Sequence, residues 1–337
     1  KLWRAIALAT LKPKRLREAF LSWFGPLSLL GLFVFWFVLL ILGFGLLMWS
    51  IDMPVQTVAG KPDLPTYLYL SGVTFFTLGF GDITPNEPLG RILVVVEAGL
   101  GFGFLALLVS YLPVLYQAFS RREASISMLD ARAGSPPSAA QVLIRAAEGS
   151  QCDALEPFLR EWERWSAEVL ESHLSYPVLS YYRSQHDNQS WLAALTAVLD
   201  TCALLLTGLK ERKPFQSQLT FAMARHAIVD LALVFQVPPV APESDRLPPD
   251  KLQKLREKLK KVGLELRSDP AGDERLAELR GMYEPFVNAL ARHFVLALPP
   301  IDPEHVVADN WQTSAWTRRT PGIGKLPVTD PSDEHFD

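Results

Sequence analysis

The chain has 337 residues, a net charge of −3 and a hydrophobic fraction of 49%, which leaves room for two or three domains. The balance of charge is near neutral, and no nucleic-acid partner is expected. Two cysteines, Cys152 and Cys202, exclude a disulfide framework, lack metal-ligand spacing and read as reduced thiols of a cytosolic compartment.

The average hides an asymmetry, because apolar residues concentrate before about residue 118. Residues 1–24 carry Lys1, Arg4, Lys12, Lys14, Arg15 and Arg17 against Glu18, with Trp3, Phe20, Trp23 and Phe24 among them. They read as a basic interfacial or cytoplasmic segment lying on anionic lipid. Gly25 to Ser50 then carries no charge. At about 1.5 Å per residue it spans roughly 39 Å, enough for a tilted transmembrane helix. Its apolar run is too long for a cleavable signal peptide, and no small-residue cleavage site follows.

The connection over 51–88 holds one lysine, Lys61, and the acids Asp52, Asp63, Asp82 and Glu87. The next apolar stretch, 89–119, is broken only by Arg91 and Glu97 and is followed by Arg121 and Arg122. By the positive-inside rule this predicts a multi-pass protein of the cell membrane with both termini cytoplasmic and 51–88 outside.

An external loop in water should be polar, yet Tyr67 to Phe80 is largely apolar and aromatic. A re-entrant segment explains this. Asp63 and Thr66 as caps, with Pro65 in the first turn, predict a short helix over 66–76 that cannot cross. The chain must return through TLGFGD (77–82), and non-helical backbone at that depth is tolerated only when buried in protein or lining a polar pathway. Glycines at 79 and 81 free alternate residues for positive φ and aim successive carbonyls one way. Several such strands together make rings of oxygens that replace a cation's hydration shell. The tetrapeptide LGFG also occurs at 42–45 and 100–103, but only the copy at 78–81 has Thr before it and Asp after it.

At these residues the chain resembles the potassium channels of the two-transmembrane-helix type, whose filter is usually Thr-Val-Gly-Tyr-Gly-Asp or a Phe variant. The likeness runs without a gap from Pro65 through Arg91, taking in Ser71, Thr74, Thr77, Gly79, Gly81, Asp82, Pro85 and Gly90, and extends over about residues 20–120. It implies a homotetramer in the lipid bilayer, since one subunit supplies one strand of carbonyls. It also implies K+ ions held at Thr77, Leu78, Gly79, Phe80 and Gly81, with Asp82 drawing cations to the mouth. The expected protein is a passive potassium-selective channel, not an enzyme, with no organic cofactor. Phe80 stands where Tyr is usual, Phe76 where Thr is frequent, and Val73 where some channels carry a buried Glu. Asp82 is therefore expected to bond Tyr69 or Tyr67. A weakly selective cation channel is one alternative; a membrane-anchored signalling module is another.

In the second helix the likeness sets Gly101 on the position of a gating hinge, although close helix packing accounts for small residues equally well. Pro113 is expected to kink the helix and set a lower constriction over 110–117. Glu97, an acid inside a span, is expected to face the short helix and support the filter, neutral or hydrogen-bonded.

Beyond it, 120–140 reads as a linker and 141–298 as an all-α cytoplasmic domain that gates the second helix, with helices over 153–173, 190–209, 217–235 and 274–298. The stretch 248–263 reads as too polar for burial. The stretch 190–209 is long enough for a third span, but Asp200 at its centre favours a buried helix of a soluble bundle. No Gly-x-Gly-x-x-Gly follows a strand. His186, Asp187, His226 and Asp230 read as a core polar network ahead of a metal or proton sensor. The tail over 299–337 reads as loosely packed or disordered. The fold class expected is an all-α membrane protein, a two-helix tetrameric pore followed by a soluble helical bundle, with a stimulus such as a cytoplasmic ligand or ion left open.

Overall fold

A computed structural model of the chain describes residues 14–57, 60–150, 155–184, 188–208 and 215–304, which are mostly helical. Cys152, His186, Asp187 and residues 305–337 lie outside them. Two compact units divide between Ala118 and Phe119.

In the first unit α1 (Lys14–Ser22) leads into α2 (Phe24–Ser50). An α-helix pairs its interior backbone groups within itself, as hydrocarbon requires, and along α2 side chains such as Phe35, Trp36 and Leu39 stand exposed. The helix α3 (Leu64–Phe75) begins where its sequence asks it to. The Asp63 carboxylate accepts from the Thr66 N–H at 3.1 Å, the Thr66 hydroxyl accepts from the Asp63 N–H, and Pro65 sits in the first turn. Two short strands, β1 (Val55–Thr57) and β2 (Ile83–Pro85), pair antiparallel with Val55 opposite Pro85. A small core of Met48, Met53, Tyr67 and Leu70 lies beside them, and the Tyr67 hydroxyl donates to the Met53 carbonyl at 2.7 Å. Then comes α4 (Pro88–Ala133), helical throughout and through Pro113.

The second unit takes the end of α4 and adds α5 (Ala139–Ser150), α6 (Leu155–Ser175), a 3-10 turn at Pro177–Tyr181 and α7 (Trp191–Gly208). It continues with α8 (Phe215–Val234), α9 (Pro249–Lys261), α10 (Pro270–Gly281) and α11 (Glu284–Phe294). The helices α5, α8, α10 and α11 pack around α7, whose Leu192, Leu195, Leu199 and Cys202 are fully buried. Among the described residues three helices, α2, α4 and α7, are long and apolar enough to cross a membrane. Of these, α7 spends nearly all its surface on protein neighbours.

Several expectations change. The linker read over 120–140 is helix as far as Ala133, followed by a tight turn whose Ser135 and Ser138 are buried. The stretch 248–263 is not too polar to bury: α9 sets Leu252, Leu255 and Leu259 on one stripe, and all three enter the core. The segment 274–298 is two helices, with Met282 and Tyr283 between them. The tail is anchored at its start, where Ile301 is buried, its carbonyl accepts from the Ala140 N–H at 3.0 Å, and Asp302 pairs with Lys258. His226 is a surface residue, 60% exposed, 3.4 Å from Asp230 on the same face of α8, so no core network forms there. No group of three metal-ligating side chains occurs among the described residues.

Arg122, one of the two arginines that follow the second apolar stretch, is not a surface charge. It is buried, with its guanidinium spent on Glu123, on the carbonyls of Leu179 and Tyr182, and on His173 Nε2 at 3.2 Å. His173 Nδ1 lies 2.7 Å from the Val169 carbonyl, so the neutral ring donates there and accepts from Arg122.

Candidate functional site

The site begins at the C-terminal end of α3. There the Phe76 N–H bonds to the Gly72 carbonyl at 3.1 Å, Thr77 to Thr74 at 2.9 Å and Leu78 to Val73 at 2.9 Å. These bonds finish the helix and hold the first residues of the return strand. From there the backbone changes hand at alternate residues. Thr77, Gly79 and Gly81 have φ of 55°, 59° and 77°, with Leu78 and Phe80 between them outside the left-handed region. For a β-branched residue such as Thr77 this conformation is uncommon and strained. Among the described residues no donor reaches the carbonyls of Thr77 to Gly81. Leu78 and Phe80 are 56% and 67% exposed, an unusual state for large apolar side chains in a chain's interior loop.

Asp82 closes this stretch, and its carboxylate accepts from the Tyr69 hydroxyl at 2.9 Å. The choice between the two tyrosines is thereby resolved, since Tyr67 is committed to Met53. Tyr69 and Asp82 together tie the far end of the return strand to the middle of α3.

Behind α3 run the other two elements. Gly101 of α4 passes directly against the end of α3. A Cβ there would stand 2.0 Å from the Phe75 carbonyl oxygen, so close packing by itself requires glycine. Gly99 and Gly103 have open space around them. Glu97, one turn before Gly101, is fully buried and faces Ser71 of α3, whose hydroxyl also lies 2.9 Å from the Ile41 carbonyl of α2. Pro113 lies in an apolar groove with Leu30, Phe33, Phe37 and Leu112.

The glycines two apart in the return strand were readable from spacing, whereas the tyrosine bond to Asp82 was expected only from the resemblance, which left Tyr67 and Tyr69 both open. Ser71 was not identified as the partner of Glu97. The available signal was that Glu97 is the one acid on its stretch of apolar helix and would need a small polar partner on the short helix. The buried Arg122 and the largely enclosed Arg246 were missed because sequence pattern treats arginine as surface.

Residues 31–117 match the model of a family described as "Ion channel". The chain is also 24% identical over 241 residues to the uncharacterized membrane protein YdjJ of Bacillus subtilis (strain 168), an alignment covering 70% of this chain and 69% of that one. No solved structure matches. The family match covers most of α2, α3, the return strand and the first part of α4, and it supports an ion channel in a membrane protein.

Proposed function

We propose that the chain is one subunit of a homotetrameric, potassium-selective channel that conducts K+ passively. The observation that carries this reading is the alternation of left-handed backbone at Thr77, Gly79 and Gly81, with the carbonyls between them free of donors among the described residues. Four such strands about an axis would stack rings of oxygens able to replace the water around a dehydrated cation, and the Thr77 hydroxyls add one ring more. A single strand encloses nothing. Leu78 and Phe80, exposed in their own chain, are the surfaces that neighbouring copies would cover. The C-terminal end of α3 turns the negative end of its dipole toward the ions, and Asp82 concentrates cations at the mouth. The first part of α4 lines the pathway, with Gly101 and Pro113 as hinge and constriction. The second unit works that gate from the cytoplasm, where both termini lie. The ion-channel family match over 31–117 supports the same reading.

Liposomes holding the purified chain test it. Thallium or potassium flux is expected, with a reversal potential that follows potassium under opposed K+ and Na+ gradients. Gly79→Ala should abolish the flux. No atom would obstruct the new methyl, so the loss would be conformational, the penalty of an L-residue at φ 59°. A reversal potential near zero would leave a weakly selective cation channel. Absence of flux under every ligand and pH would defeat the channel reading altogether.

A further inference from the structure

We propose that Glu97 is a proton-binding site: a carboxylic acid whose O–H donates to Ser71, and whose ionisation as pH rises loosens the short helix behind the filter and lowers conduction. The proposal rests on the channel reading for its effect on flux, but not for the protonation itself.

Proton counting points to it. The Ser71 hydroxyl owns one hydrogen and lies within hydrogen-bond reach of two acceptors, the Ile41 carbonyl at 2.9 Å and Glu97 Oε1. If the hydroxyl donates to Ile41, the proton in the second bond must come from the other side. A backbone carbonyl has none to give, whereas a protonated carboxyl does. The chain of bonds then runs in one sense, from Glu97 O–H to Ser71 Oγ and from Ser71 O–H to Ile41. It ties α4, α3 and α2 at one point. An ionised Glu97 would capture the Ser71 proton and remove the bond from α3 to the Ile41 carbonyl, which would keep only the bond of its own helix.

The surroundings agree. Glu97 is fully buried, and its second oxygen, Oε2, has no hydrogen-bond partner among the described residues. Among the described residues no cation bonds to it to balance a carboxylate. Helix α2 carries no ionisable side chain between Phe24 and Ser50. Helix α3 offers only Tyr67 and Tyr69, whose hydroxyls are spent on Met53 and Asp82. On α4 the neighbouring charge is Arg91, reaching the Pro85 carbonyl. An uncompensated charge in an apolar layer is costly, and a neutral acid avoids that cost.

The link to the filter is short. Ser71 stands two positions before Val73, whose carbonyl holds the Leu78 N–H, and three before Thr74, whose carbonyl holds Thr77. A shift of α3 at Ser71 is passed to those bonds.

Two measurements on the full chain in lipid separate the proposal from the reading beneath it. The first is infrared difference spectroscopy of wild type against Glu97→Gln at neutral pH. The expected result is loss of a protonated-carboxyl C=O band; loss of carboxylate bands instead overturns the proposal and leaves the channel reading untouched. The second is flux against pH. Wild-type flux should fall about tenfold on the alkaline side, the effect of one ordinary hydrogen bond on an equilibrium. Glu97→Gln, whose amide still donates to Ser71 but cannot ionise, should hold a flat profile. An unchanged alkaline fall in Glu97→Gln overturns the proposal. A wild-type chain with the acid band but no flux at any pH defeats the channel reading and, with it, the proposed effect on conduction.

Discussion

Helices α2 and α7 look alike as strings of letters, both long and apolar enough to cross a membrane, yet the molecule uses them in opposite ways. In α2 most apolar side chains point away from the protein, Met48 and Leu29 excepted: Leu39 is 47% exposed, as are many of its neighbours to a similar degree. In α7 the same residue types face protein on every side, and Leu195 is fully buried. The two helices also differ at their polar residues. Helix α2 has no charge, whereas α7 holds Asp200 at its middle with three hydrogen bonds from two residues. Arg246 grips both carboxylate oxygens at 2.7 and 2.9 Å, and the Tyr283 hydroxyl donates to one of them. Arg246 in turn reaches Glu284 at 2.8 Å and the Pro299 carbonyl at 3.0 Å. Apolar length alone therefore does not separate a span from a core helix. A fully partnered charge at its centre does, because lipid offers no such partners.

The largest effect should come from breaking that pairing. Asp200→Ala leaves Arg246 enclosed beside Glu284 with two of its four hydrogen bonds gone, and the expected loss is about 3–5 kcal/mol in the second unit. Replacing both, Asp200→Leu with Arg246→Met, should recover most of it, since no charge is then stranded. Chemical denaturation of the full chain in detergent, followed by tryptophan fluorescence, measures both. A single mutant as stable as wild type would mean the pairing is not buried as described. Next comes Leu195→Ala, expected to cost about 2–5 kcal/mol by opening a cavity in the core around α7.

A smaller effect depends on pH. Burial first, and then the nearby Arg122 charge, push the His173 imidazole down to about 3, against a weaker opposing bond to Val169. The unfolded chain takes up a proton near the ordinary value of 6.5, while the folded chain refuses it until about 3. Stability contributed by the neutral ring is thus complete above 6.5 and declines as pH falls through that window. One proton changes the unfolding equilibrium by about tenfold per pH unit there. His173→Gln, which keeps an acceptor for Arg122 but cannot be charged, should flatten that slope in denaturation midpoints taken from pH 7 to 4. An equal slope in the variant would assign the acid sensitivity to other groups.

Much of the first unit was legible because its constraints are local. A charge-free run, a capping box at Asp63 and Thr66, and glycines two apart each state their own geometry. The second unit was legible as helices but not as a core, because its decisive contacts join residues far apart in the chain. Asp200 finds Arg246 and Tyr283, and Arg122 finds His173; no window of sequence contains either pair. The same blindness made α9 look like surface. Its lysines and its leucine stripe share one segment, and only packing shows that the leucines face inward. Glu97 stands between these cases, since its burial was readable but its partner Ser71 lies 26 residues away.

The smallest effect sharpens the comparison most. Leu39→Ala on α2 removes the same atoms as Leu195→Ala on α7, from a helix of similar composition. With 47% of Leu39 exposed in its own chain, the deletion opens no cavity there, and the expected change is within about 0.5 kcal/mol. The two substitutions differ only in what surrounds the side chain, so the ratio of their effects measures the surroundings rather than the residue. Equal losses would mean that α2 is buried against a partner at Leu39. In the tetramer proposed above, that outcome would put this face of α2 at a subunit boundary instead of in lipid. A near-zero loss at Leu39 beside a large one at Leu195 fits α2 facing hydrocarbon and α7 facing protein.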